Sequence, residues 1–220
     1  MNARYVAVEG PIGVGTTCLA QMLASRYKGT AVLEQPGKNP FLSDFYKDKE
    51  RYAFQTQLFF LFNRYQQLLH LSQLELFEII TFADYVFGKD RIFANLNLDE
   101  NEIALYNRIY AFLEARLVKP DLVIFIQAST DVLTKRIRMR GLEYEKRITE
   151  EYVDRVNQAY NCFFFHYVET PLLVINTSEI DFVNQPEDFN DLVGEIDRMG
   201  EGTRYYRPLG SKGKQDRDGA

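Results

Sequence analysis

Residues 5–27 read YVAVEGPIGVGTTCLAQMLASRY, and this stretch decides the fold. Tyr5–Val8 is a short apolar run of strand length, and CLAQMLASRY carries a helical pattern. Between them lies Gly10-Pro-Ile-Gly13-Val14-Gly15-Thr16-Thr17. Strand, glycine-rich loop and helix in that order form the context of a phosphate loop. Its glycines let backbone N–H groups curl around phosphate oxygens, and the helix N-terminus adds the positive end of its dipole. Thr17 takes the hydroxyl position that helps hold Mg²⁺ in such loops. The full pattern is G-x-x-x-x-G-K-[ST], and its lysine position is Thr16 here. A cation clamping the outer phosphates is a large contribution: an arginine supplied to such a site is worth about 10³–10⁵ in rate. That corresponds to roughly 4–7 kcal/mol.

Further along the chain, apolar runs alternate with long helical patterns, the mark of a parallel sheet with crossover helices. The other strand candidates are Ala31–Leu33, Ile79–Ala83, Leu122–Gln127 and Leu172–Ile175, with helical stretches starting near Thr16, Tyr52, Asn101, Thr130 and Glu150. Pro120 and Pro171 precede two of the strands, where they stop the preceding helix. The expected architecture is therefore α/β, a five-stranded parallel sheet with helices on both faces. Residues 1–199 should form one domain. The polar segment from Gly200, ending GSKGKQDRDGA, reads as a disordered tail.

Composition narrows the function classes. With 46% hydrophobic and 26% charged residues over 220 positions, the chain is of ordinary globular type. A net charge of −5 argues against a broad nucleic-acid or anionic-membrane surface. Two cysteines, Cys18 and Cys162, cannot build a disulfide framework, and Leu58–Phe62 and Leu122–Ile126 are too short to span a bilayer. A cytoplasmic protein acting on small molecules is the expectation. In the apolar stretch Tyr52–Glu75, Gln57 and Arg64 lie seven residues apart on one helical face beside the aromatics. Polar groups so placed need partners, and a planar hydrogen-bonding ligand supplies them.

In these blocks and their order, the sequence resembles the deoxynucleoside kinase family, in particular its bacterial deoxyadenosine/deoxyguanosine kinase-like branch, from Tyr5 to about Met199. The resemblance implies Glu34 as general base on the sugar 5′-hydroxyl, and Tyr46, closing NPFLSDFY, and Glu169 as ligands of the 3′-hydroxyl. It places Gln57 and Arg64 at the base, Asp84 beside Mg²⁺, and Arg136 and Arg140 of a lid at about 136–148 on the phosphates. A carboxylate at the C-terminal end of a parallel strand opens onto the crevice where such sheets bind ligands, which agrees with Glu34. Arg136 and Arg140 are one helical turn apart, so both can reach one phosphate chain.

The family pattern is broken on the phosphate side. Besides Thr16, Leu142 stands where the lid carries a third arginine, and the acidic-Arg-Ser signature reads Asp84-Tyr85-Val86. Which of Lys89 and Asp90 faces the base is open; Lys89 is taken as substrate-binding. The resemblance implies ATP or another nucleoside triphosphate as donor, Mg²⁺, a nucleoside substrate with a leaning to purines, and a homodimer. A kinase drawing replacement cations from Arg136, Arg140 or Lys89 is the leading expectation. Its alternative is a pseudokinase that binds a nucleoside or nucleotide as a sensor or partner subunit.

Overall fold

The computed structural model describes residues 3–73, 80–208 and 210–211. The strands are β1 (Tyr5–Glu9), β2 (Thr30–Val32), β3 (Thr81–Ala83), β4 (Leu122–Gln127), β5 (Leu172–Asn176) and β6 (Thr203–Tyr206). The helices are α1 (Thr16–Arg26), α2 (Leu42–Phe45), α3 (Lys49–Gln73), α4 (Lys89–Asn97), α5 (Glu100–Glu114), α6 (Thr130–Arg140), α7 (Glu150–Phe165) and α8 (Pro186–Asp197). The strands form one parallel sheet in the order β2-β3-β1-β4-β5-β6.

Strand alternation sorts the core into two layers. Tyr5, Ala7, Val123, Phe125, Leu172 and Val174 point to one face, where Leu61 of α3, Tyr106 of α5 and Tyr160 of α7 cover them. Val6, Val8, Ile124, Ile126, Leu173 and Ile175 point to the other, against Leu19 and Leu23 of α1, Leu133 and Ile137 of α6 and Leu192 of α8. Both faces are apolar because both are covered, which is why the central strands read as continuous hydrophobic runs.

The sequence expectation of five strands is corrected to six. Thr203–Tyr206, within the segment expected to be a disordered tail, pairs with β5 from Leu172↔Thr203 to Ile175↔Tyr206. Three of its four residues are exposed, so the strand carries no hydrophobic signature; backbone pairing to an otherwise open edge makes it. Ile79, in the expected third strand, and residues 212–220 of the tail lie outside the described residues.

The turn after β1 is set by glycine. Gly13 adopts φ +88°, and a Cβ there would sit 2.7 Å from Ile137 Cγ1 and 2.9 Å from the Leu133 carbonyl oxygen. Gly10 has no room either: a Cβ there would sit 2.6 Å from the Ile126 carbonyl oxygen. Any side chain at these positions would push the loop off β4 and α6.

Candidate active site

Parallel strands deliver their following loops to one edge, and the loops after β1, β2 and β3 meet there. They enclose a cavity of about 180 Å³ lined by Gly10, Gly13, Gly15, Thr16 and Thr17 on one side and by Tyr46, Gln57, Arg64 and Tyr152 on the other. Asp84, just past β3, joins the two halves: its Oδ2 accepts from the Thr17 hydroxyl at 2.6 Å, and its Oδ1 accepts from the Glu34 N–H at 2.7 Å.

Glu34 is the centre of a charge cluster. One carboxylate oxygen pairs with Arg64, and Oε2 lies 3.1 Å from Lys89 Nζ. Burial pushes its carboxyl up, but Arg64 and Lys89 outweigh burial and hold it at about 2. Arg64 reaches Asp90 with its other terminal nitrogen. Burial carries Asp90 up to about 6 against the pull of Arg64. Burial also raises the Asp84 carboxyl. Lys89 lines the cavity and turns to the carboxylates, while Asp90 lies behind Arg64. With both terminal nitrogens engaged, Arg64 clamps Glu34 and Asp90. Gln57, 3% exposed, keeps Oε1 without a hydrogen-bond partner, an open polar group on that wall alongside Thr56 Oγ1.

Tyr46 lines the cavity beside Tyr152, their rings edge to face at 6.4 Å, and burial raises its hydroxyl pKa. Val14 is buried behind the phosphate loop rather than on the cavity wall. Arg140 lines the cavity, but its guanidinium forks onto Glu145, with Nε to Oε2 at 3.0 Å and Nη2 to Oε1 at 2.5 Å.

Two sequence expectations are corrected. Glu169 precedes β5, so it sits at the N-terminal edge of a parallel sheet, opposite the cavity; it is 48% exposed and pairs with Lys119 at 2.8 Å. Arg136 does not reach the cavity. Its guanidinium donates to the carbonyl oxygens of Val14 (3.2 Å), Thr177 (3.1 Å) and Ile180 (3.4 Å), tying α6 to the phosphate loop. One turn separates Arg136 from Arg140, but the first faces the carbonyls of Val14, Thr177 and Ile180 and the second Glu145.

Sequence reasoning missed Glu145, which lines the cavity, is 6% exposed and stands close enough to Tyr46 to raise its pKa. Its signal lay in RGLEYE, where an acidic residue follows the lid arginine by five positions. It also missed Glu9, fully buried with Lys89 Nζ 3.7 Å from Oε1. Thr17 Oγ1 and Asp84 Oδ2 form the oxygen pair that suits a hard cation at the phosphate loop.

The sequence profile of the family Deoxynucleoside kinase matches residues 6–200. This chain belongs to the deoxynucleoside kinase family. The kinase is 33% identical over 203 residues to a deoxyguanosine kinase of Bacillus subtilis, covering 90% of this chain and 98% of the relative. It is 29% identical over 208 residues to a deoxyadenosine kinase of Lactobacillus acidophilus, covering 88% and 95%. In fold it is similar to a deoxyadenosine kinase from M. mycoides solved with the products dCMP and a flexible dCDP, at 24% identity and TM-score 0.78, covering 89% of this chain and 100% of that one. The chain is a kinase-type phosphotransferase. Among the described residues, no helix is long and apolar enough to cross a membrane.

Proposed function

We propose that this kinase transfers the γ-phosphoryl group of ATP to the 5′-hydroxyl of a deoxynucleoside, with purines preferred and turnover limited by Thr16. The observation that carries the reading is the double hold of Asp84, which binds the Glu34 backbone and the Thr17 hydroxyl and so joins acceptor and donor sides in one cavity. In the reaction the 5′-oxygen bonds to the γ-phosphorus, the bond from that phosphorus to the β–γ bridging oxygen breaks, and a nucleoside diphosphate leaves. The hydroxyl proton passes to Glu34. A carboxyl held at about 2 is ionised throughout the working range, which is the form that accepts a proton.

Thr17 and Asp84 are the residues that would hold Mg²⁺, which supplies charge neutralisation to the phosphates when bound. On the protein's own side, backbone N–H groups of the loop face the donor, but Thr16 adds no positive charge. Arg64 and Lys89 are held by carboxylates, and Arg136 by carbonyls. Arg140, at 45% side-chain exposure, is the cavity cation best able to change partner and meet a phosphate. The purine preference rests on the relatives named deoxyguanosine and deoxyadenosine kinases. A homodimer fits α3 and α5, which expose Phe62, Leu105 and Phe112, and sedimentation at micromolar concentration tests it.

The test is a turnover panel of ATP and GTP against the four deoxynucleosides, with calorimetric binding in parallel. The expected result is 5′-phosphorylation of purine deoxynucleosides, lost by about 100-fold or more in Glu34→Gln. Binding without turnover for any pair would overturn the reading in favour of a nucleoside-binding pseudokinase.

A further inference from the structure

Glu9 closes β1 one residue before the phosphate loop and is 0% exposed. Its Oε2 accepts a long hydrogen bond, 3.3 Å from the Gly10 N–H, its Oε1 accepts no well-formed one, and the Tyr160 hydroxyl is the other donor near the carboxylate. Leaving a buried carboxylate oxygen unsatisfied is costly, and an apolar residue would extend the buried strand at no such cost. What Glu9 faces explains its retention. Lys89 Nζ stands 3.7 Å from Glu9 Oε1 and 3.1 Å from Glu34 Oε2, so a single ammonium lies between two carboxylates. Arg64 of α3 holds the other oxygen of Glu34. Tyr160 of α7 and Tyr5 of β1 also face Glu9, and Asp84 acts on Lys89.

We propose that Glu9 is a positioning residue for the phosphoryl transfer: when ionised it draws Lys89 away from Glu34 and frees that carboxylate oxygen for the substrate hydroxyl. This rests on the reading of Glu34 as the acceptor of the hydroxyl proton. With Glu9 neutral, the ammonium stays on Glu34 and competes with the hydroxyl. With Glu9 charged, the ammonium is shared. Burial pushes the Glu9 carboxyl up to about 7 against the opposing pull of Lys89 and Arg64, so the exchange falls in the working range.

The experiment is the kcat profile of the full-length kinase from pH 5.5 to 9, with infrared difference titration of protonated carboxyls over the same range. The expected wild-type turnover rises by roughly tenfold through pH 7. Glu9→Gln holds it flat at the low-pH level, and Glu9→Asp restores the rise at a displaced midpoint. In the infrared titration, one carboxyl band lost near pH 7 is absent from Glu9→Gln and moves to higher pH in Lys89→Met, which removes the charge favouring ionisation. A rise that persists in Glu9→Gln overturns the proposal, as does a Glu9 titration unmoved in Lys89→Met. If Glu9→Gln does not fold, Glu9→Asp and Lys89→Met carry the same test. Absence of turnover in wild type with the carboxyl coupling intact would fault the kinase reading and leave the Glu9–Lys89 coupling standing.

Discussion

At the scale of single residues, burial and partner decide which acid belongs to the site. Glu145 and Glu169 are both glutamates near a tyrosine in sequence, yet Glu145 is buried on the cavity wall and Glu169 is exposed at the opposite edge. Glu145→Gln should lower kcat/KM for deoxynucleosides by about 10–100-fold, since a site built for hydroxyls suffers when a buried partner is lost. Glu169→Gln should leave kinetics unchanged. Steady-state assays on the two variants check both, and equal losses would refute the placement. The same comparison marks the limit of sequence reading. The shared placement of the phosphate loop, Glu34 and Gln57 was legible because each is fixed by a strand end or a helical face, whereas Tyr46 and Asp84 were reached through the family resemblance. Glu169 and Arg136 misled because nearness along the chain does not say which edge of a sheet, or which side of a helix, a side chain meets.

Elements show the converse. The strands β1, β4 and β5 announce themselves through buried apolar runs, whereas β6 exists because β5 would otherwise end the sheet unpaired. Its contribution is backbone pairing and the packing of Tyr206 against the core, neither of which composition reports. Ending the chain after Met199 should therefore cost about 2–3 kcal/mol. For a domain of this size, that lowers Tm by about 5–10 °C. Calorimetry measures it, and an unchanged Tm would mean β6 is ornamental. The turn at Gly141, which has φ +66°, is a second case: Arg140 and Glu145 are bound to each other across it, both on the cavity wall.

For the whole molecule, the buried charges predict how stability follows pH. Glu34 titrates in the folded state near 2 against an ordinary 4.5, so its contribution is present above 4.5 and lost as pH falls toward 2. Glu9, near 7, and Asp90, near 6, work in the other direction: the unfolded chain releases their protons first, so stability falls as pH rises from about 4 to 7. Thermal unfolding should show Tm declining over that interval in wild type and declining less in Glu9→Gln. A Tm that climbs instead would contradict the burial of these acids. Removing Arg64 strands Asp90 and leaves Glu34 with Lys89 alone, and Arg64→Met should cost about 3–5 kcal/mol.

The asymmetry proposed for the site, Glu34, Tyr46 and Gln57 on walls that face a phosphate loop without its lysine, is the centre of the account. It is tested most directly by kcat with Mg·ATP and deoxyguanosine in wild type and in Thr16→Lys. Positive charge at that position acts on the transferring phosphoryl group and not on the nucleoside pocket. The account predicts measurable wild-type turnover, a gain of about tenfold or more in Thr16→Lys, about 1.4 kcal/mol per decade, and little change in KM for the nucleoside. High wild-type turnover with no gain from lysine would contradict it, because another cation would then already fill the site.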